Sequence, residues 1–143
     1  MTPIRKDLIE RKISLIQDDL EKLSRLKDFT LNEIVSDFMK QATVERLLER
    51  IITRAIDINQ HLISERATPD ISPPKDYHET FLRLAEIKIY PADFAKEIAK
   101  SVSTRNLLVH EYDNIDYERV YHSIKDCLKD YRAYIDYILK AIG

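Results

Sequence analysis

The sequence predicts an all-α protein, an up-and-down bundle of about five to six helices. Three observations carry that prediction. Apolar residues recur at spacings of three and four along most of the chain, the period of a helix with one buried face. No segment sustains the apolar–polar alternation of a half-buried strand. Hydrophobic content of 44% with 34% charged residues is the composition of a soluble helical protein.

The elements follow in order. In 4–28, Ile9, Ile13, Ile16, Leu20 and Leu23 are spaced 4-3-4-3 and form the seam of a long first helix, suited to a bundle core. Thr30-Leu31-Asn32-Glu33 has the form of a capping box and starts a short helix over 31–38. A second long helix over 42–65 presents Val44, Leu47, Leu48, Ile51, Ile52, Ala55, Ile58 and Leu62. The stretch "ATPDISPPK", 67–75, holds three prolines and is a loop too short to link domains. A helix over 75–89 follows, with Phe81, Leu82 and residues 84–87 as its apolar content. Pro91 suits the first turn of the next helix, which Phe94, Ala95, Ile98 and Val102 continue toward Arg105. Asp116 is placed to cap a final helix over 117–141, lined by Val120, Ile124, Cys127, Leu128, Tyr131, Ile135 and Ile138. The expected organisation is one domain spanning 1–143, and a small helical chain with several apolar seams often buries part of them in a dimer.

Composition removes several function classes. Without an internal glycine there is no phosphate-cradling loop, dinucleotide-binding turn or nucleophile elbow. Cys127 is the single thiol, so no disulfide forms within the chain, which suits a reducing cytosol. The histidines His61, His78, His110 and His122 lack a paired metal-ligand spacing. The start, "MTPIRKDLIERK", is too charged for a signal peptide, and no apolar run approaches the roughly 20 residues of a membrane span. Net charge is −2 and the isoelectric point about 6.1. A nucleic-acid site on this chain therefore has to concentrate positive charge locally.

One stretch departs from the helical pattern: "STRNLLVHEYDNID", 103–116. Arg105 and His110 lie five residues apart, so on one regular helix they point about 140° away from each other. Two arrangements let them cooperate. The helix ends between them and His110 turns back, or a second copy of the segment supplies the complementary residue across a symmetric interface. At a helix C-terminus the dipole favours a protonated His110, bringing the imidazole toward the range useful for acid–base work. The plainer alternatives are a capping histidine, a solvated arginine and a packing tyrosine. Ser103 and Thr104 are candidate phosphate contacts or ordinary helix hydroxyls. Lys96, Lys100 and Arg105 form either a basic strip or a solvated face. Tyr117, Tyr121, Tyr131, Tyr134 and Tyr137 form either a base-stacking ladder or, more commonly at that spacing, core.

"RNLLVHEY" has the form Arg-x4-His-x-Tyr and resembles the signature of the HEPN superfamily. More narrowly, Arg105, Asn106, Leu108, Val109, His110, Tyr112, Ile115 and Asp116 are similar to the pattern of HepT-like toxins. "VERLLERIITRAIDINQHLISE", 44–65, and "YHETFLRLAE", 77–86, resemble that family's central helix and the segment after its loop. The resemblance implies an all-α, HEPN-like bundle that dimerises, with two motif segments in one cleft. It implies a cytoplasmic, metal-independent endoribonuclease that needs no cofactor and acts on mRNA or tRNA. Arg105 and His110 are then catalytic, with His110 of each protomer sharing the acid and base roles, and Arg105 contacts the RNA. Asn106 binds the RNA phosphate or orients the histidine, or is an ordinary polar residue near the helix end. The resemblance also implies a cognate MNT-type nucleotidyltransferase antitoxin that silences the toxin by adenylylating Tyr112. The direction of Glu111 stays open, since an acid facing the cleft repels phosphate. Two rival readings stand beside this one: a non-catalytic nucleotide- or RNA-binding module, and a pure interaction partner of a nucleotidyltransferase.

Overall fold

The computed structural model describes residues 5–110 and 115–143, and of His110 only the backbone. Seven helices are present among the described residues: α1 (Lys6–Ser24), α2 (Leu31–Val35), α3 (Phe38–Arg66), α4 (Tyr77–Glu86), α5 (Ala92–Ala99), α6 (Ser101–His110) and α7 (Tyr117–Ile142). The all-α bundle is as the sequence predicts, and α5 with α6 corresponds to the single helix expected after Pro91.

The local signals fix several ends. Thr30 and Glu33 form a reciprocal capping box at α2, each side chain bonded to the other's backbone N–H. Asp116 accepts from the Arg119 N–H at the start of α7. Where the expected ends move, the cause is a local hydrogen bond. Asp37 accepts from the Met39 and Lys40 N–H groups, so α3 begins at Phe38 and α2 is cut to 31–35. The exposed Phe38 and Met39 gave the hydrophobic pattern no handle on that start. Helix α4 stops at Glu86 because Lys88 takes φ 68 and closes a reverse turn, with the Ile89 N–H donating to the Leu84 carbonyl at 2.9 Å. Pro91 precedes the first turn of α5 and is its N-cap.

The break at Lys100 is the departure that bears most on the site. The Lys100 N–H reaches back to the Glu97 carbonyl and the Ser103 N–H to the Lys100 carbonyl, tightened three-residue bonds that bend the path. Ser101 Oγ donates to the Ile98 carbonyl at 2.7 Å and lies 2.8 Å from the Tyr131 hydroxyl, which pins the elbow to α7.

The core lies between α1, α3, α4 and α7. The expected α1 seam is buried, each of its five residues 4% exposed or less. Asp19, fully buried, joins α1 to α3 through Arg50 at 3.1 Å and Arg54 at 2.8 Å. Phe81, Tyr131 and Tyr134 pack ring against ring, fully buried.

Candidate functional site

Helix α6 lies against α3, α4, α5 and α7. Val102 and Thr104 are its buried residues among those described, and Leu107 and Leu108 pack half-buried on the core. Val109 is half-buried as well, and Ser103 and Asn106 are the exposed residues among those described.

Arg105 is held on the side toward α3 and α4. Its Nε donates to Thr53 Oγ1 at 3.0 Å, and the guanidinium lies over the Tyr77 ring, 5.1 Å from the centroid. That platform is itself fixed from beneath. The Thr80 hydroxyl donates to the Tyr77 carbonyl at 2.6 Å and accepts from Asn59 Nδ2 at 3.2 Å. Asn59 Oδ1 in turn lies 2.6 Å from the Tyr134 hydroxyl, deep in the core. A buried polar chain thus runs from α7 through α3 to the residue beneath Arg105. Neither Thr53 nor Tyr77 stood out in the sequence. Tyr77 opens the "YHETFLRLAE" segment, but nothing in its spacing pairs it with Arg105.

Helix α6 is continuous from Arg105 through the backbone of His110. The expected alternative in which the helix ends between the two residues is therefore corrected: the break lies upstream, at Lys100. Within one chain the two positions remain about 140° apart. His110 is the last residue of α6, at its negative dipole end. Spacings of three and four place Ser103, Asn106 and His110 along one stripe of the helix, away from Arg105. Asn106 is exposed. At the start of that stripe Arg119 of α7 reaches across, its Nη2 donating to Ser103 Oγ at 2.7 Å. The expected roles of Tyr112 and Glu111 fall outside the described residues. Just beyond them, Tyr117 donates its hydroxyl to Glu45 Oε2 at 2.8 Å, anchoring the start of α7 on α3. Burial and that carboxylate push the Tyr117 phenol up to about 12.

The remaining candidates take their plainer roles. Tyr131 and Tyr134 are core, and Tyr121 donates to the Phe29 carbonyl at 2.7 Å, so the tyrosines of α7 are packing residues and not a base-stacking ladder. The basic strip is split by the elbow: Lys100 pairs with Glu97 at 3.0 Å while Arg105 turns toward α3. His61 lies 3.1 Å from Glu65 on its own helix, and His122 stands edge-on to Tyr121. Thr104 is buried beside a cavity of about 70 Å³, lined also by Ser101, Ser123, Cys127, Asp130 and Tyr131. Burial, with Glu97 and Asp126 nearby, pushes the Asp130 carboxyl up to about 6. Among the described residues no three His, Cys, Asp or Glu side chains gather closely enough to hold a metal ion. Nor is any described helix long and apolar enough to cross a membrane.

Comparison with known proteins agrees with this architecture. The chain is 37% identical over 137 residues to a protein named tRNA nuclease HepT from Aphanizomenon flos-aquae, covering 94% of this chain and 90% of that one. It is 25% identical over 132 residues to one named mRNA nuclease HepT from Shewanella oneidensis, covering 92% and 96%. In fold it is similar to a tri-AMPylated HEPN toxin of Shewanella oneidensis solved in complex with an MNT antitoxin. The TM-score is 0.81 at 24% identity, over 94% of this chain and 98% of that one. The family model described as Ribonuclease HepT-like matches residues 16–138. This chain belongs to the HepT-like ribonuclease family.

Proposed function

We propose that this chain is the toxin of a toxin–antitoxin pair, a cytoplasmic endoribonuclease that works as a homodimer and is silenced by a nucleotidyltransferase antitoxin. The observation that carries the catalytic part is the state of Arg105. Its Nε is tied to a hydroxyl, its face rests on an aromatic ring, and no carboxylate neutralises it among the described residues. An arginine fixed in this way presents its remaining N–H groups, with full charge, to an anion. It lies in the same helix that His110 closes, and relatives over most of the chain are named as nucleases.

The chemistry assigns the parts. RNA cleavage without a metal uses the ribose 2′-hydroxyl as nucleophile on the adjacent phosphorus. A base removes the hydroxyl proton, the P–O5′ bond breaks, and an acid returns a proton to the departing 5′-oxygen, leaving a 2′,3′-cyclic phosphate. One histidine per chain supplies one proton-transfer group, and two protomers supply both. The 140° separation along an unbroken α6 supports this two-chain arrangement, in which Arg105 of one copy serves a phosphate near His110 of the other. Arg105 stabilises the charge that builds on the phosphorane-like transition state, and Asn106 contacts the RNA or orients the histidine. The more similar of the two named nucleases acts on tRNA, which makes tRNA the first substrate to test. Wild type is expected to cleave it in EDTA and leave cyclic phosphate ends, with His110→Ala slower by roughly 10²–10⁴-fold. Equal rates from the two folded proteins would remove His110 from the mechanism.

Control is assigned to Tyr112. Transfer of AMP to its hydroxyl adds bulk and negative charge beside the cleft, opposing RNA by volume and by repulsion. Incubation with the partner nucleotidyltransferase and ATP is expected to add AMP mass to wild type and not to Tyr112→Phe. Undiminished labelling of the Phe variant would place the modification elsewhere.

A further inference from the structure

We infer that Arg119 is a second phosphate-binding arginine of the RNA site, held by Ser103 on the same stripe of α6 as Asn106 and His110. This rests on the ribonuclease reading above and adds a residue from outside the Arg-x4-His-x-Tyr segment.

Arg50 and Arg54 meet Asp19, Arg83 meets Glu79, Arg46 meets Glu49 and Arg25 meets Glu21. Each of these charges is at least partly neutralised. Arg105 and Arg119 differ in the same way: among the described residues each is tethered by a hydroxyl, Thr53 at 3.0 Å and Ser103 at 2.7 Å, and neither forms an ion pair. Arg11, Arg66 and Arg132 form no ion pair there either, but Arg66 donates to the Ala141 carbonyl and no hydroxyl orients the other two. A hydroxyl orients a guanidinium without cancelling its charge, and leaves most of its forked donors available for phosphate. The nearby Asp116 carboxylate is engaged at the α7 cap, accepting the backbone N–H of Arg119 itself. Ser103 is oriented too, its hydroxyl donating to the Lys100 carbonyl at 2.9 Å, so the elbow that separates α5 from α6 sets the acceptor that Arg119 uses. The two arginines flank α6, one on the α3 side and one at the head of the Asn106–His110 stripe. In a chain of net charge −2, they provide the local positive charge that RNA requires. A polynucleotide crossing α6 then meets Arg105 at the scissile phosphate and Arg119 at a flanking one.

The test measures binding of fluorescent unfractionated tRNA across a salt series, in a His110→Ala background so that the probe survives. Adding Arg119→Gln is expected to weaken binding roughly 10-fold and to lower the slope of log affinity against log salt by about 0.7–0.9, one phosphate contact. Arg119→Lys is expected to restore the slope and most of the affinity. A structural role moves neither the slope nor its recovery by lysine. The inference is overturned if Arg119→Gln leaves affinity and slope unchanged while Arg105→Ala weakens both. Lost affinity at an unchanged slope, with no recovery in the lysine variant, overturns it as well. If wild type neither binds nor cleaves tRNA, the ribonuclease reading falls and takes this inference with it.

Discussion

Helices α6 and α7 are neighbours in sequence and in space, yet the fold uses them differently. Helix α7 commits nine residues to the interior, among them Tyr131, Tyr134, Ile135 and Ile138, and its tyrosines bond inward to α3, α6 and the Phe29 carbonyl. Helix α6, among its described residues, buries Val102 and Thr104 and carries polar groups outward on both flanks. A helix held by its own apolar face can be read and mutated as packing. A helix with so little buried surface is positioned by its neighbours, through the elbow at Lys100, the Ser101–Tyr131 contact and the platform under Arg105. Its polar residues are thereby left for chemistry.

The contrast can be broken from either side. The largest effect is expected from Arg105→Ala on α6, which should lower kcat/KM for RNA by roughly 10²–10³-fold while costing only about 1 kcal/mol of stability, the loss of its Thr53 bond and Tyr77 contact. Steady-state kinetics and thermal unfolding of the same preparation check both halves. A variant that lost stability in step with activity would make α6 a packing helix after all.

The opposite pattern is expected in α7. Tyr134→Phe removes the donor to the buried Asn59 amide and should cost about 1–3 kcal/mol in a denaturant titration. Its effect on kcat/KM at permissive temperature should be small and carried only through the Tyr77 platform. An unchanged unfolding midpoint would show that the Asn59–Thr80 chain stands without it.

The smallest effect concerns Asp130, which sharpens the comparison because it is an α7 residue beside the α6 elbow. Its carboxyl titrates near 6 in the folded protein and near 3.9 when unfolded. The folded state therefore holds more protons between those values, and stability falls as pH rises through that window. Above about pH 6 the buried carboxylate is a standing cost, so Asp130→Asn should stabilise the protein by about 1–2 kcal/mol at pH 7.5. The gain should shrink as pH is lowered toward 4. Melting curves at both ends of the range test this, and a gain that does not depend on pH would assign it to packing.

Much of the fold was legible because its causes are local. The 4-3-4-3 seam of α1, the Thr30 capping box, the proline-rich turn and the Asp116 cap each act within a few residues, and each appears in the structure. The motif was also legible by pattern, since Arg105, Asn106 and His110 are close in sequence. The exact boundary at Asp37 and the break at Lys100 were not: the exposed Phe38 and Met39 carry no buried period to mark where α3 starts, and at Lys100 the period runs on while short-range hydrogen bonds overrule it.

By itself the sequence determined the class of the protein, the order of its helices and the residue types available for RNA chemistry. Helical periodicity and end-capping are properties of neighbouring residues, and reading them needs nothing else. The tertiary structure decided what those residues can do. It set Thr53, 52 positions from Arg105, as the acceptor that orients the guanidinium, and laid Tyr77 beneath it. It brought Arg119 across 16 positions onto Ser103 and kept α6 unbroken, so that Arg105 and His110 diverge within one chain. Such pairings are fixed by how helices cross in the packed core, and no period along the chain encodes the angle of a crossing.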